Sequence, residues 1–115
     1  MNWGKVFYIF FALMSLTTSV AFIFEHSGVA IFAAASINFI STILKLGVRN
    51  LLAAELLAGS LVADLHLIPA FVIFEFGNVE THHDLMVGLV VGAIIANVYT
   101  LIISIVESAK VKEEF

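Results

Sequence analysis

LLAAELLAGSLVADLHLIPAFVIFEF, residues 51–76, is apolar enough to span a bilayer yet carries Glu55, Asp64 and His66 along its length. An ionisable group at the centre of the hydrocarbon costs about 3 kcal/mol on insertion scales. A spanning helix that keeps three such groups is expected to use them, as an ion, proton or metal pathway or as a buried polar contact between helices.

Working outward, the rest of the chain has the same solvent. Of its 115 residues, 62% are hydrophobic and 12% charged. A soluble domain is about half apolar and about a quarter charged, and a short chain has too much surface to hide such an excess in a core. An integral membrane protein resolves the conflict. Three further apolar stretches accompany 51–76, at about 3–24, 28–46 and 85–106, each near the roughly 20 residues that cross hydrocarbon as a helix. The links are short, at 25–27, 47–50 and 77–84, so neighbouring helices are expected to run antiparallel. The expected fold is all-α, a four-transmembrane-helix bundle in a single transmembrane domain over 1–115. The tail 107–115 mixes charges at helical spacing and extends the last helix into the cytoplasm.

Basic residues orient the bundle. Lys5, Lys45, Arg49, Lys110 and Lys112 fall on one side, and the two links on the other side hold Glu25, His26, Glu80, His82, His83 and Asp84 with no Lys or Arg. Basic residues concentrate on the cytoplasmic side, so both termini are expected there. A cleaved signal peptide ending near Ser19-Val20-Ala21 is the competing reading. The apolar run continues through Phe22-Ile23-Phe24 and favours an uncleaved first span.

At about 100° per residue, Glu55 and His66 lie about 20° apart on the third helix, with Gly59 and Val62 on the same face. Asp64 lies about 180° from Glu55, on a second stripe with Ser60 and Asn50. Asp64 and His66 sit at mid-membrane, Glu55 near the cytoplasmic end and Glu75 at the outer mouth. Pro69 frees the carbonyl of Leu65, and freed carbonyls in broken helices coordinate cations. On the second helix Asn38, Thr42 and Lys45 share a face; on the fourth, Asn97 and Thr100 are polar. The candidate ion pathway is therefore Glu55, Asp64, His66, Glu75, Asn38 and Asn97. The alternative is that Asp64 hydrogen-bonds Asn38, Asn97 or a hydroxyl and joins helices, and that Glu55 pairs with Lys45 or Arg49. Gly88, Gly92, Ala96, Thr100 and Ser104 recur at four-residue spacing, a stripe that permits close helix approach and suits a homo-oligomer.

The outer link offers Glu80, His82, His83 and Asp84 as a weak metal set, with Glu25 and His26 on the same side. A solvated loop is the plainer reading. There is no cysteine, so disulfide and thiolate chemistry are excluded. No pair of histidines is evidently placed to hold haem, and no cofactor is expected. A net charge of −4 without a basic stripe excludes nucleic acid as partner. No nucleophile–base pair shares a helix face, so an enzyme is not expected.

Met1-Asn2-Trp3-Gly4-Lys5-Val6, together with Val48-Arg49-Asn50-Leu51-Leu52-Ala53-Ala54-Glu55 and Ala63-Asp64-Leu65-His66-Leu67-Ile68-Pro69-Ala70, resembles a small uncharacterised four-helix bacterial inner-membrane protein family. The resemblance implies a multi-pass protein of the bacterial inner membrane and carries no activity or site residue. The chain does not resemble the small multidrug transporters, since no acid precedes Glu25, and it lacks the potassium-filter and small fluoride-channel patterns. The expected function is an oligomeric cation or proton pathway, channel or transporter. The alternative is a non-conducting accessory subunit of a larger membrane transporter or respiratory complex.

Overall fold

A computed structural model describes residues 3–46, 53–77 and 79–110. They form four helices: α1 (Trp3–Phe24), α2 (Gly28–Leu46), α3 (Ala53–Phe76) and α4 (Val79–Lys110). All four are long and apolar enough to cross a membrane, the make-up of a multi-pass membrane protein. Helices are the natural element there, because lipid offers no partner to an open backbone N–H or C=O. Each helix packs on its chain neighbours, and α1 also packs on α4, closing a four-cornered bundle.

Two contacts fix its ends. Lys5, early in α1, pairs with Glu107, late in α4, at 3.5 Å with both side chains buried. At the other end His26, in the α1–α2 link, meets His83. Below, these are the terminal end and the far end. Ser27 caps α2: its carbonyl accepts the first helical bond from the Ile31 N–H at 3.2 Å, and its Oγ accepts from the Val29 N–H at 3.2 Å, a donor that a helix N-terminus otherwise leaves open.

The first two helices occupy the expected ranges. Leu51 and Leu52 lie outside the described residues, as do the 47–50 link and 111–115. α4 differs: it starts at Val79 rather than Leu85, with a bend at His82 (φ −109°, ψ 17°). Most of the expected 77–84 link is thus helix. The reason is length. A helix of 32 residues runs about 48 Å, well beyond the roughly 30 Å of hydrocarbon. Its first turns therefore stand in water and need no apolar stripe, and Glu80 there favours the positive end of the helix dipole. α3 continues through Pro69 to Phe76.

The core is divided along its axis. The far half is mainly apolar: Phe22, Ile31, Leu67, Met86 and Val90 are fully buried there among alanines, with the hydroxyls of Ser15 and Ser19 the exceptions on α1. The terminal half buries polar groups from every helix, among them Lys5, Ser41, Lys45, Ser60, Asp64, Asn97 and Glu107.

Candidate functional site

The polar half is organised on α2 and α3. Asn38, Thr42 and Lys45 recur at i, i+4 and i+7 on α2, and all three are buried against α3, where Ser60 and Asp64 are one turn apart. Asp64 is 6% exposed. Its Oδ1 accepts from Asn38 Nδ2 at 2.6 Å and its Oδ2 lies 2.6 Å from Thr42 Oγ1. The second N–H of the Asn38 amide donates to the Ser60 carbonyl at 3.3 Å. Thr42 Oγ1 also lies 2.7 Å from Ser60 Oγ and 3.0 Å from the Asn38 carbonyl.

One hydroxyl thus faces three oxygens with one proton to give. Hydroxyls donate once and accept twice. With Asp64 ionised, Thr42 donates to Oδ2 and accepts from Ser60. With Asp64 protonated on Oδ2, the acid donates to Thr42, which turns its own proton to the Asn38 carbonyl and still accepts from Ser60. Both states are satisfied without moving a heavy atom.

Lys45, 6% exposed, adds a charge to this site. Its Nζ makes no hydrogen bond, lies 5.6 Å from the centre of the Tyr8 ring, and senses the Asp64 charge through space. Asn38 Oδ1 and both side-chain polar atoms of Asn97 are likewise buried without a partner. Close contacts of Gly59 with Thr100 and of Gly92 with His66 set the register of α3 against α4 and place Asn97 at the depth of Leu61–Val62, between Ser60 and Asp64.

His66 belongs elsewhere. Its Nδ1 lies 2.7 Å from the Val62 carbonyl. A carbonyl only accepts, so this nitrogen carries the proton and Nε2 is free to accept. The ring lies against Gly92, lining an open groove of about 580 Å³ with Ala58, Gly59, Val62, Ile95, Ala96 and Tyr99. Asp64 and His66, two residues apart in sequence, therefore sit on opposite sides of α3 and do not touch. Gly92→Ala should displace the His66 ring, because a Cβ there would lie 2.5 Å from His66 Cδ2. A changed His66 imidazole signal by NMR in detergent, with the fold retained, is the expected outcome.

The remaining candidates are dispersed. Glu55 is exposed and pairs with no described residue, Lys45 included; Arg49 lies outside the described residues. Glu75 is exposed at the far end beside Gly28. Among the described residues no three His, Asp or Glu side chains gather as a metal set, so Glu80, His82, His83 and Asp84 do not converge. The small-residue stripe is used within the chain: Gly92 and Thr100 abut α3, whereas Gly88 faces open space. The sequence puts His26 on the same side as His83, where it could add a ligand to the outer link; that the two rings meet directly is what residue-by-residue reasoning missed.

Residues 25–108 match the model of DUF6394, described as a family of unknown function. The chain belongs to DUF6394. The matched stretch takes in α2, α3 and nearly all of α4, and so every member of the Asp64 site; the whole of α1 precedes it. No curated protein and no solved structure matches this DUF6394 chain.

Proposed function

We propose that this protein is a proton pathway, a channel or carrier, in which Asp64 is the mid-membrane proton site. The carrying observation is the Thr42 hydroxyl, within hydrogen-bond reach of both Asp64 Oδ2 and the Asn38 carbonyl. A group that is satisfied in both protonation states exchanges its proton at small reorganisation cost. A metal cation is less well served, because Lys45 shares the site and would repel it. The proposed setting is the bacterial inner membrane, with the terminal end cytoplasmic. Lys5 and Lys45 lie at that end, and Glu25, Glu75, Glu80 and Asp84 at the other, which suits the bias of basic residues to the inside. A homo-oligomer belongs to the proposal, because one bundle with a mainly apolar far half supplies only part of a polar route.

That same mainly apolar half favours the second reading, a non-conducting accessory subunit whose buried polar groups hold α2 on α3. Proton flux into liposomes separates the two. Wild type should dissipate an imposed pH gradient but not gradients of potassium, sodium or calcium. Asp64→Asn should lose at least about tenfold, in the range of a lost acid–base group, and Thr42→Val a smaller part, since the carboxylate stays while its switching partner goes. Absence of flux from folded, inserted wild type in every gradient would move the assignment to the accessory subunit.

A further inference from the structure

At the far end two histidines from distant parts of the chain meet. His26 Nδ1, in the α1–α2 link, lies 3.4 Å from His83 Nε2, early in α4, although 57 positions separate them. The rings cross at 68° with centroids 4.9 Å apart. His26 is seated by its packing on the buried Phe22 ring, 5.1 Å away. On the other side of the His83 ring, Nδ1 has Asp84 Oδ1 at 3.5 Å. The bend at His82 comes immediately before.

We infer that His26 Nδ1 and His83 Nε2 form a binding site for a divalent transition metal of the zinc type, with water in the remaining positions. The distance carries the inference. Zinc–imidazole bonds of about 2.0–2.1 Å at a tetrahedral angle place the two nitrogens about 3.3–3.4 Å apart. The observed 3.4 Å matches that span. The chemistry agrees. Imidazole nitrogens select zinc, copper and nickel over magnesium and calcium, and a ligating histidine commonly donates its other ring N–H to a carboxylate, which fixes the tautomer. Asp84 is placed to do this for His83, leaving the Nε2 lone pair for the metal. Both histidines reach solvent, so the ion has an entry path. Bound there, it would tie the α1–α2 link to the start of α4. The site lies at the opposite end of the bundle from Asp64, and the inference does not rest on the proton pathway.

Titration of the purified full chain in detergent with zinc chloride alone tests it. The expected result is one saturable site per chain and a higher melting temperature with zinc. His26→Gln and His83→Gln should each weaken binding by at least about tenfold, and Asp84→Asn by up to about tenfold, the low end for a ligand-orienting residue. His82→Gln and Asp64→Asn should leave it unchanged, and melting curves without zinc should show every variant folded. X-ray absorption at the zinc edge should show two imidazoles. A merely hydrogen-bonded histidine pair would give no saturable uptake. That result, binding indifferent to His26→Gln, or binding lost in His82→Gln alone would each overturn the assignment.

Discussion

Asp64→Leu is expected to destabilise the bundle by about 3–5 kcal/mol, the cost of breaking a buried charge arrangement from one side. Three groups lose their partner at once. The Asn38 amide loses its 2.6 Å acceptor, the Thr42 hydroxyl loses Oδ2, and Lys45 remains as a buried ammonium with no opposing carboxylate in its site. The last is the largest, since an unpaired charge is far more expensive in a dry interior than an unpaired amide. Lys45 stands one residue before the end of α2. Where its stem can bend the ammonium out to the interface, the loss falls at the low end of the range.

The partner substitution decides the cause. Lys45→Met in the Asp64→Leu background should restore most of the lost stability, because a buried opposite-charge pair replaced on both sides by apolar groups is often neutral. Asp64→Asn should cost less than Asp64→Leu by about 0.5–1.5 kcal/mol for each hydrogen bond kept, as an amide keeps an acceptor for Asn38 and its N–H₂ meets the Thr42 oxygen, while Lys45 stays unopposed in both variants. Denaturant unfolding in detergent reads all four proteins. Costs of Asp64→Leu and Lys45→Met that simply add would show the two charges to be independent and sink the account.

The Asp64 site was half legible in the sequence. Spacing put Asn38, Thr42 and Lys45 on one face of α2, and Ser60 with Asp64 on one face of α3, because helical periodicity is a property of a single segment. That these two faces meet depends on how the helices turn about their axes, which periodicity leaves open. Asp64 and His66 were already on separate stripes by periodicity, two steps of about 100° apart; what it left open was which neighbour each stripe meets. His26 and His83 are the converse, remote in sequence and joined only once α1–α2 and α3–α4 turn back at the same end.

The fold was more legible than the site. α1 ends and α2 begins where the apolar runs meet Glu25, His26 and Ser27, so polarity marks those limits. The start of α4 escaped because Glu80–Asp84 is helix in water, and polar residues there resemble a loop. The four-residue stripe on α4 announced a tight crossing without naming its partner. The structure names α3 for Gly92 and Thr100 and leaves Gly88 uncovered.

That crossing carries the second large prediction. Gly59→Val is expected to destabilise the protein by about 1–3 kcal/mol, the usual cost of overpacking a filled interior. A Cβ at Gly59 would run into Thr100 Oγ1 and stand 3.0 Å from Tyr99 Cδ2. Tyr99 is 44% exposed and its ring can give way. Thr100 is more constrained: it is fully buried and its hydroxyl is tied to the Ala96 carbonyl at 3.1 Å. Gly59→Ala makes the sharper test, because two effects of opposite sign compete. Alanine gains about 1 kcal/mol of helix propensity over glycine, so a loose crossing would make the variant more stable and a tight one makes it less. We expect a net loss for Gly59→Ala alone and a net gain when it is combined with Thr100→Ala, which removes the obstructing oxygen. The coupling between the two sites should fall at about 0.5–3 kcal/mol, the range for residues in contact. Melting of the four proteins in detergent measures it. A Gly59→Ala protein more stable than wild type with Thr100 intact would mean that α3 and α4 do not approach closely here, and that the glycine serves the adjoining groove instead.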